Sequence, residues 1–485
     1  MSTLVALARA QAFASGRAQP IATVRHLHVS DDPLVLIPLA MAGEANAPLA
    51  AMIGTSAEKP RLLVVSQPRN RDERFAFTAA LAGELLPYLE SFATETEAVA
   101  VDRGRDVRYR YVDAPQVWVP NPGGADFLRL LGRSTRFRRT DGDYPVPPSV
   151  PLLGQWLTFL ASAAEMPGSM LLANTVQALG MHWTTGQSAA EDAQLGSLFA
   201  WITEGAAAAR EAENGPVAGP ATDPEFDNKV LAPLIADSSP RLEEVIRELM
   251  TPTWERMWRS LDLLRALPAG ARVGTRWDSD RDTYSAFVEH LASDGAPQPR
   301  RDGAVAAASR LQRLENAAAR YAVQRAFDDP LIMAEHRLTG AAFAGVVTLA
   351  NPDRIDDSGK RPVLRPRIMV ATTEPVRVEA GANLTSPARP SQKAKVISVT
   401  PTADGCDVLL ELSGGMGRKL VAEPGSVPAV GERILLTTLS EAYRPGAAFP
   451  DPADTPWTHG GPPSNHPAAT LDSSERSPSV PVTSA

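Results

Sequence analysis

The sequence predicts an α+β protein of several domains: an N-terminal α/β domain, a mainly helical middle, and a small C-terminal β-barrel of the OB or SH3 kind with a disordered tail. Three observations carry this. Short apolar runs alternate with helix-period stretches in the first part, helix-period patterns dominate the middle, and period-two alternation flanks an Asp-Gly turn near the C-terminus. The expected boundaries are 1–150, 151–350, 360–440 and 441–485.

In chain order, residues 4–13 form a short amphipathic helix, and Leu34–Leu39 and Arg61–Val65 are apolar runs bounded by turn residues, as in buried strands. From Arg71 the spacing of Phe75, Phe77, Leu81, Leu85 and Leu89 is helical, and that helix is expected to yield near Pro87. Val107–Val112 and Gln116–Val119 then read as strands. The proline cluster Pro145–Pro151 marks a boundary. Beyond it, helices are expected over Leu152–Ala164, Leu171–Gly180, Arg241–Met250, Thr253–Leu267 and Ala304–Ala326, with a Pro/Gly interruption at Gly215–Pro224. In the barrel module, Lys395–Val399 and Cys406–Leu412 flank the turn Thr402-Ala403-Asp404-Gly405, a hairpin signal. Arg367–Val370, Pro375–Val378 and Val430–Leu439 complete about five strands. After Tyr443 the Pro-, Ser- and Thr-rich chain cannot bury enough apolar surface to fold.

The 485 residues carry a net charge of −8, but the bases cluster. Between Arg103 and Arg139 nine Arg face three acids, and between Lys360 and Lys395 eight bases face two acids, a local +6 in each case. The rest of the chain therefore carries about −20, so any basic surface is local. A single cysteine, Cys406, excludes an internal disulfide framework and an all-cysteine metal site. No apolar run approaches the roughly 18 residues that span a bilayer, so no membrane partner and a cytoplasmic location are expected. The Ala-, Arg- and Pro-heavy composition points to a bacterial source. The phosphate-cradling loop, the dinucleotide glycine fingerprint, the nucleophile elbow and the H-E-x-x-H zinc motif are all missing.

Asp278, Asp280, Asp282 and Glu289 have calcium-loop spacing, but Thr283 stands where such a loop needs glycine, and a helix start explains the acids as well. His26 and His28 would share a face on a strand, and Glu44 follows the first apolar strand, where α/β folds place functional groups. These support an enzyme only as an alternative; no catalytic residue, metal ligand or cofactor is assigned.

The basic stretches carry the main expectation. Arg108 and Arg110 alternate with Tyr109 and Tyr111, and Arg133, Arg136, Arg138 and Arg139 surround Phe137. Lys393, Lys395, Arg418 and Lys419 lie in the barrel module, the last two at the end of the glycine-rich Ser413–Lys419. Guanidinium and ammonium groups neutralise phosphates while aromatic rings stack on bases. The acidic segment 189–262, with fourteen acids and six bases, could pair with the same arginines. With its Pro-x-Val-Gly-x-x-Ile turn (Pro428, Val430, Gly431, Ile434), the module resembles the small β-barrels attached to nucleic-acid enzymes such as helicases. The resulting expectation is a non-catalytic accessory component of a nucleic-acid-processing complex. Its partners would be nucleic acid and a separately encoded helicase or nuclease; a pure interaction scaffold is a further alternative.

Overall fold

The computed structural model describes residues 2–43, 47–101, 104–215, 219, 221–441, 446 and 448–451. Two units separate by their contacts: residues 1–298 with 317–443, and a small second unit, 299–316 with 444–485. The described part of the second is chiefly the first half of the Ala304–Asp328 helix, preceded by an Asp302–Arg310 pair at 3.6 Å. The tail expected to be disordered lies almost wholly outside the described residues.

Seventeen strands are described: β1 (Gln19–Pro20), β2 (Leu34–Ala40), β3 (Pro48–Gly54), β4 (Arg61–Val64), β5 (Thr96–Val101), β6 (Asp106–Tyr111), β7 (Val117–Val119), β8 (Leu172–Asn174), β9 (Trp183–Thr184), β10 (Ala342–Asn351), β11 (Ile355–Asp356), β12 (Val363–Leu364), β13 (Arg367–Thr372), β14 (Asn383–Ser386), β15 (Arg389–Thr402), β16 (Gly405–Ser413) and β17 (Arg433–Thr437). The central sheet has the order β4-β3-β2-β7-β8. Its β2/β3 and β3/β4 pairs are antiparallel, and its β2/β7 and β7/β8 pairs are parallel. All seven side chains of β2 and all three of β7 are buried. That explains the unbroken apolar runs: a strand covered on both faces has no polar side to alternate with.

The helices Arg71–Ser91, Ser149–Ala164, Arg241–Arg265 and Val273–Ala292 contribute to one core with this sheet, from Leu27 to Phe287. Its aromatic centre stacks Phe159 on Phe287 at 4.0 Å beside Trp156, and Tyr284 donates to the Leu89 carbonyl at 2.6 Å. The core runs on past Pro145–Pro151, because β8, from beyond that stretch, joins the sheet. Two prolines lie inside helices instead of ending them: Pro87 within Arg71–Ser91 and Pro252 within the single Arg241–Arg265 helix. Each forgoes one backbone bond. Burial of Tyr88 and Leu89 after the first, and of Thr253, Trp254 and Met257 after the second, offsets that at roughly 1.5–3 kcal/mol per large apolar side chain. Leu171–Gly180, expected as helix, is β8 followed by the Thr175–Gly180 helix, started by the Asn174 side chain accepting from Gln177 N–H.

The Pro122–Thr135 and Ser149–Ala164 helices meet backbone to backbone. A Cβ at Gly132 would lie 2.8 Å from the Thr158 nitrogen, and one at Gly154 would fall on the Arg136 backbone nitrogen. Gly154→Ala is therefore expected to destabilise by about 1–3 kcal/mol despite alanine's better helix propensity. Gly83→Ala, at an exposed helical position with nothing within 4 Å of the added methyl, is expected to stabilise by about 0.5–1 kcal/mol. Urea melts of the two variants check the pair, and equal effects would contradict the crossing.

The C-terminal module is a closed six-strand barrel, β10-β13-β16-β15-β14-β17. The hairpin read from the alternating pattern is β15/β16, with Thr402 opposite Gly405. Two of its strands were not anticipated. Strand β10 falls where helix was expected and has three Ala and one Gly among its ten residues, and β14 has only four residues. Conversely Pro375–Val378 is extended but forms no ladder: Pro375 has no N–H, and the Arg377 N–H goes to the Gly340 carbonyl at 3.1 Å. Beneath the barrel, Ala326, Met333 and Ala342 pack with Leu435 and Leu439, and Glu374 accepts from both Arg337 and the Ala344 N–H.

Candidate nucleic-acid interface

The ten expected contact residues fall into three groups. Arg108 and Arg110 project from β6, which among the described residues pairs with β5, onto the Val273–Ala292 helix. Arg108 pairs with Asp282. Arg110, its side chain 10% exposed, reaches Glu97 at 2.7 Å, Asp278 at 3.2 Å and Asp282 at 3.4 Å. These guanidiniums hold the β5/β6 ribbon to the helix. They also account for two of the acids with calcium-loop spacing, which sit on the middle turns of a helix and not in a loop. The third, Asp280, is buried and accepts from the Met170 N–H at 2.7 Å. Burial pushes its carboxyl up to about 7, although the Ser169 hydroxyl and Met170 N–H pull the other way.

The second group surrounds the end of the Pro122–Thr135 helix. Arg136 is buried, its Nε donating to the Gln298 carbonyl at 2.9 Å and its guanidinium 4.8 Å from the Phe137 ring. Arg133 is exposed in the last turn, where a cation complements the helix dipole. Arg138 bonds the Ser134 carbonyl and lies over Phe75, and Arg139 is exposed, 4.0 Å from Asp141.

The third group is on the barrel. Lys393 and Lys395 are exposed on β15, alternating with buried Ala394 and Val396, so both ammonium groups share the outer face. Lys393 lies between Thr385 and Ser413; Lys395 lies between Asn383 and Glu411. Glu411 already pairs with Arg354 at 2.8 Å and Arg367 at 3.1 Å. The loop after Ser413 turns back against the start of β15: a Cβ at Gly414 would come within 2.8 Å of the Ser391 carbonyl, and its φ is 76°. That loop carries exposed Arg418 and Lys419.

Sequence reasoning missed one feature. A cleft of about 570 Å³ opens at the carboxyl end of β2, lined among others by Met41, Gln67, Arg69, Asp227 and Ile235. Four chain segments build it, none with a recognisable motif. Glu44, the nearest signal, lies outside the described residues. Neither histidine lines the cleft, nor do the two share a strand. His28 stacks on Trp277 at 4.2 Å, and His26 is buried beside Asp329 at 3.3 Å, its N–H donating to His182 Nε2 at 3.1 Å. Among the described residues no group of three or more His, Cys, Asp or Glu could hold a metal ion, and no helix is long and apolar enough to cross a membrane.

Comparison with protein-family models, curated proteins and solved structures gave no match for this chain.

Proposed function

We propose that the protein contacts nucleic acid through the outer face of its barrel, as an accessory component beside a separately encoded helicase or nuclease, with the barrel serving in the manner of OB or SH3 modules. The observation that carries the reading is the placing of Lys393 and Lys395 on one strand face, next to the glycine-rich loop that bears Arg418 and Lys419. The acid opposite Lys395 across the β15/β16 register, Glu411, is already held by two guanidiniums. Arg133, Arg138 and Arg139 are a second, smaller contribution. Arg108, Arg110 and Arg136 serve the fold first.

The test is fluorescence polarisation of labelled single- and double-stranded DNA and RNA across a salt series. For four phosphate contacts on a single strand, the slope of log affinity against log salt is expected to shallow by roughly 3 in Lys393→Ala/Lys395→Ala/Arg418→Ala/Lys419→Ala. Arg108→Ala is expected to leave the slope unchanged. Identical slopes for the quadruple variant and the parent protein would overturn the proposal.

A further inference from the structure

The register of the barrel sets a second row of side chains beside the basic one, and its chemistry is different. Lys395 lies opposite Glu411, Glu411 opposite Arg367, and Arg367 opposite Asn351, one row across the outer face of β15, β16, β13 and β10. Two residues along β16, β13 and β10, and three along the bulged β15, the next row is Leu409, Met369, Leu349 and Ser398. Period two puts these side chains on the same face as Lys395. The positions between them, Ile368, Val370, Val408 and Leu410, point inward and are buried.

Three apolar side chains thus stand side by side on the outside of the barrel. Leu349 is 53% exposed, Met369 and Leu409 are partly exposed, and none of the three belongs to an apolar core of the described residues. Charge is unequal on the two sides of this row. On one side Lys395, Arg367 and Arg354 outnumber Glu411, and Lys393 lies one row further out. On the other side Thr400, Asp407, Ala371, Val346 and Arg433 carry one charge of each sign. Neighbouring rows on one face are about 7 Å apart, and three adjacent strands span about 10 Å.

We infer that the barrel takes nucleic acid as an unpaired single strand, its bases lying on Leu349, Met369 and Leu409 and its phosphates on the Lys393/Lys395 side. The inference rests on the nucleic-acid reading of this face and narrows its substrate. A nucleotide spans the row spacing between its phosphate and its base. The bases of a single strand turn their faces to a protein surface while the backbone follows the cations. In a duplex those faces are stacked on one another, and only base edges show in the grooves. A second copy of the chain would use the apolar row but not the cationic excess on one side of it.

Fluorescence polarisation on the full chain, with a labelled oligothymidylate and a mixed-sequence duplex of equal length at equal salt, tests the inference. The single strand is expected to bind about tenfold more tightly or better. Leu349→Thr/Met369→Thr/Leu409→Thr keeps good strand formers in place and is expected to weaken single-strand binding about tenfold, with duplex binding and the salt slope unchanged. Leu349→Trp, at the exposed end of the row, is expected to strengthen single-strand binding about fivefold by stacking. Circular dichroism checks the fold of the triple variant, and if that fold is lost the tryptophan variant decides. Equal or tighter binding of the duplex, or single-strand binding that either folded variant leaves unaltered, would overturn the inference and leave standing the phosphate contacts read by the salt slope. Absence of binding to either nucleic acid would overturn both. A parent dimer in sedimentation that the triple variant dissociates would assign the row to a second copy and overturn the inference alone.

Discussion

Asp329→Ala is expected to destabilise the protein by about 3–5 kcal/mol, the range for breaking a buried charged contact from one side. The Asp329 carboxylate is fully buried and accepts from Thr23 N–H at 2.7 Å, the Thr23 hydroxyl at 2.8 Å and Leu331 N–H at 2.9 Å, with His26 Nε2 at 3.3 Å. Burial alone would push its carboxyl up; the His26 and Thr23 contacts outweigh this and hold it well below the usual carboxylate range. It also caps the Pro330–Leu338 helix. Truncation leaves three part-buried donors without their acceptor. Asp329→Asn keeps one acceptor oxygen and is expected to cost less. Urea unfolding followed by tryptophan fluorescence measures both, and a loss below about 1 kcal/mol for the alanine variant would show that the contact is not anchored as described.

The second large effect is on the dependence of stability on pH. His182 is buried, its Nδ1 donating to the Ala178 carbonyl at 2.7 Å and its Nε2 accepting from His26 N–H, so the folded protein requires it neutral. Burial lowers it to about 4, and His28, also chiefly through burial, to about 4. For both, the folded value lies below the unfolded one. Their contribution is complete above pH 6.5 and is lost as pH falls toward 4, about 3 kcal/mol for His182. Asp280 works in the opposite direction: its folded value of about 7 lies above 3.8, so its contribution is complete below pH 3.8 and is lost as pH rises to 7. The aspartate therefore offsets part of the acid loss caused by the histidines. Asp280→Asn is expected to be about 4 kcal/mol more stable than the parent near pH 8, with the advantage shrinking toward pH 4. Denaturation curves at four pH values check this. Parallel stability profiles for the two proteins would refute it.

Much of the fold was legible because its signals are local. The β15/β16 hairpin announces itself by period-two alternation about a Gly turn, and β2 by an apolar run covered on both faces. What escaped the sequence was set by partners far along the chain. Pro87 and Pro252 look like helix ends until the side chains that follow them are seen to be buried. Arg110 looks like a phosphate ligand until Asp278, 168 residues on, is found beside it. Strand β10 follows directly on a helical stretch and mixes three Ala and a Gly with its Val, Thr and Leu, and its pairing with β13 and β17 defines it. The cleft had no signature at all. Its floor is assembled from the strand end and an aspartate 185 residues away, bonded to the Ala42 N–H.

The anchoring of the N-terminal segment has a consequence for the order of folding. Thr23 and Asp329 are 306 residues apart, and the N–H groups of Thr3 and Leu4 find their acceptor in Glu335. During synthesis at about 5–20 residues per second, roughly 15–60 s pass between emergence of the first partner and of the second. Until then the first 30 residues have only nearer contacts, such as β1 against β9. Contacts this distant in sequence form late, after shorter loops have closed. Docking of the N-terminal segment thus waits for the segment leading into the barrel.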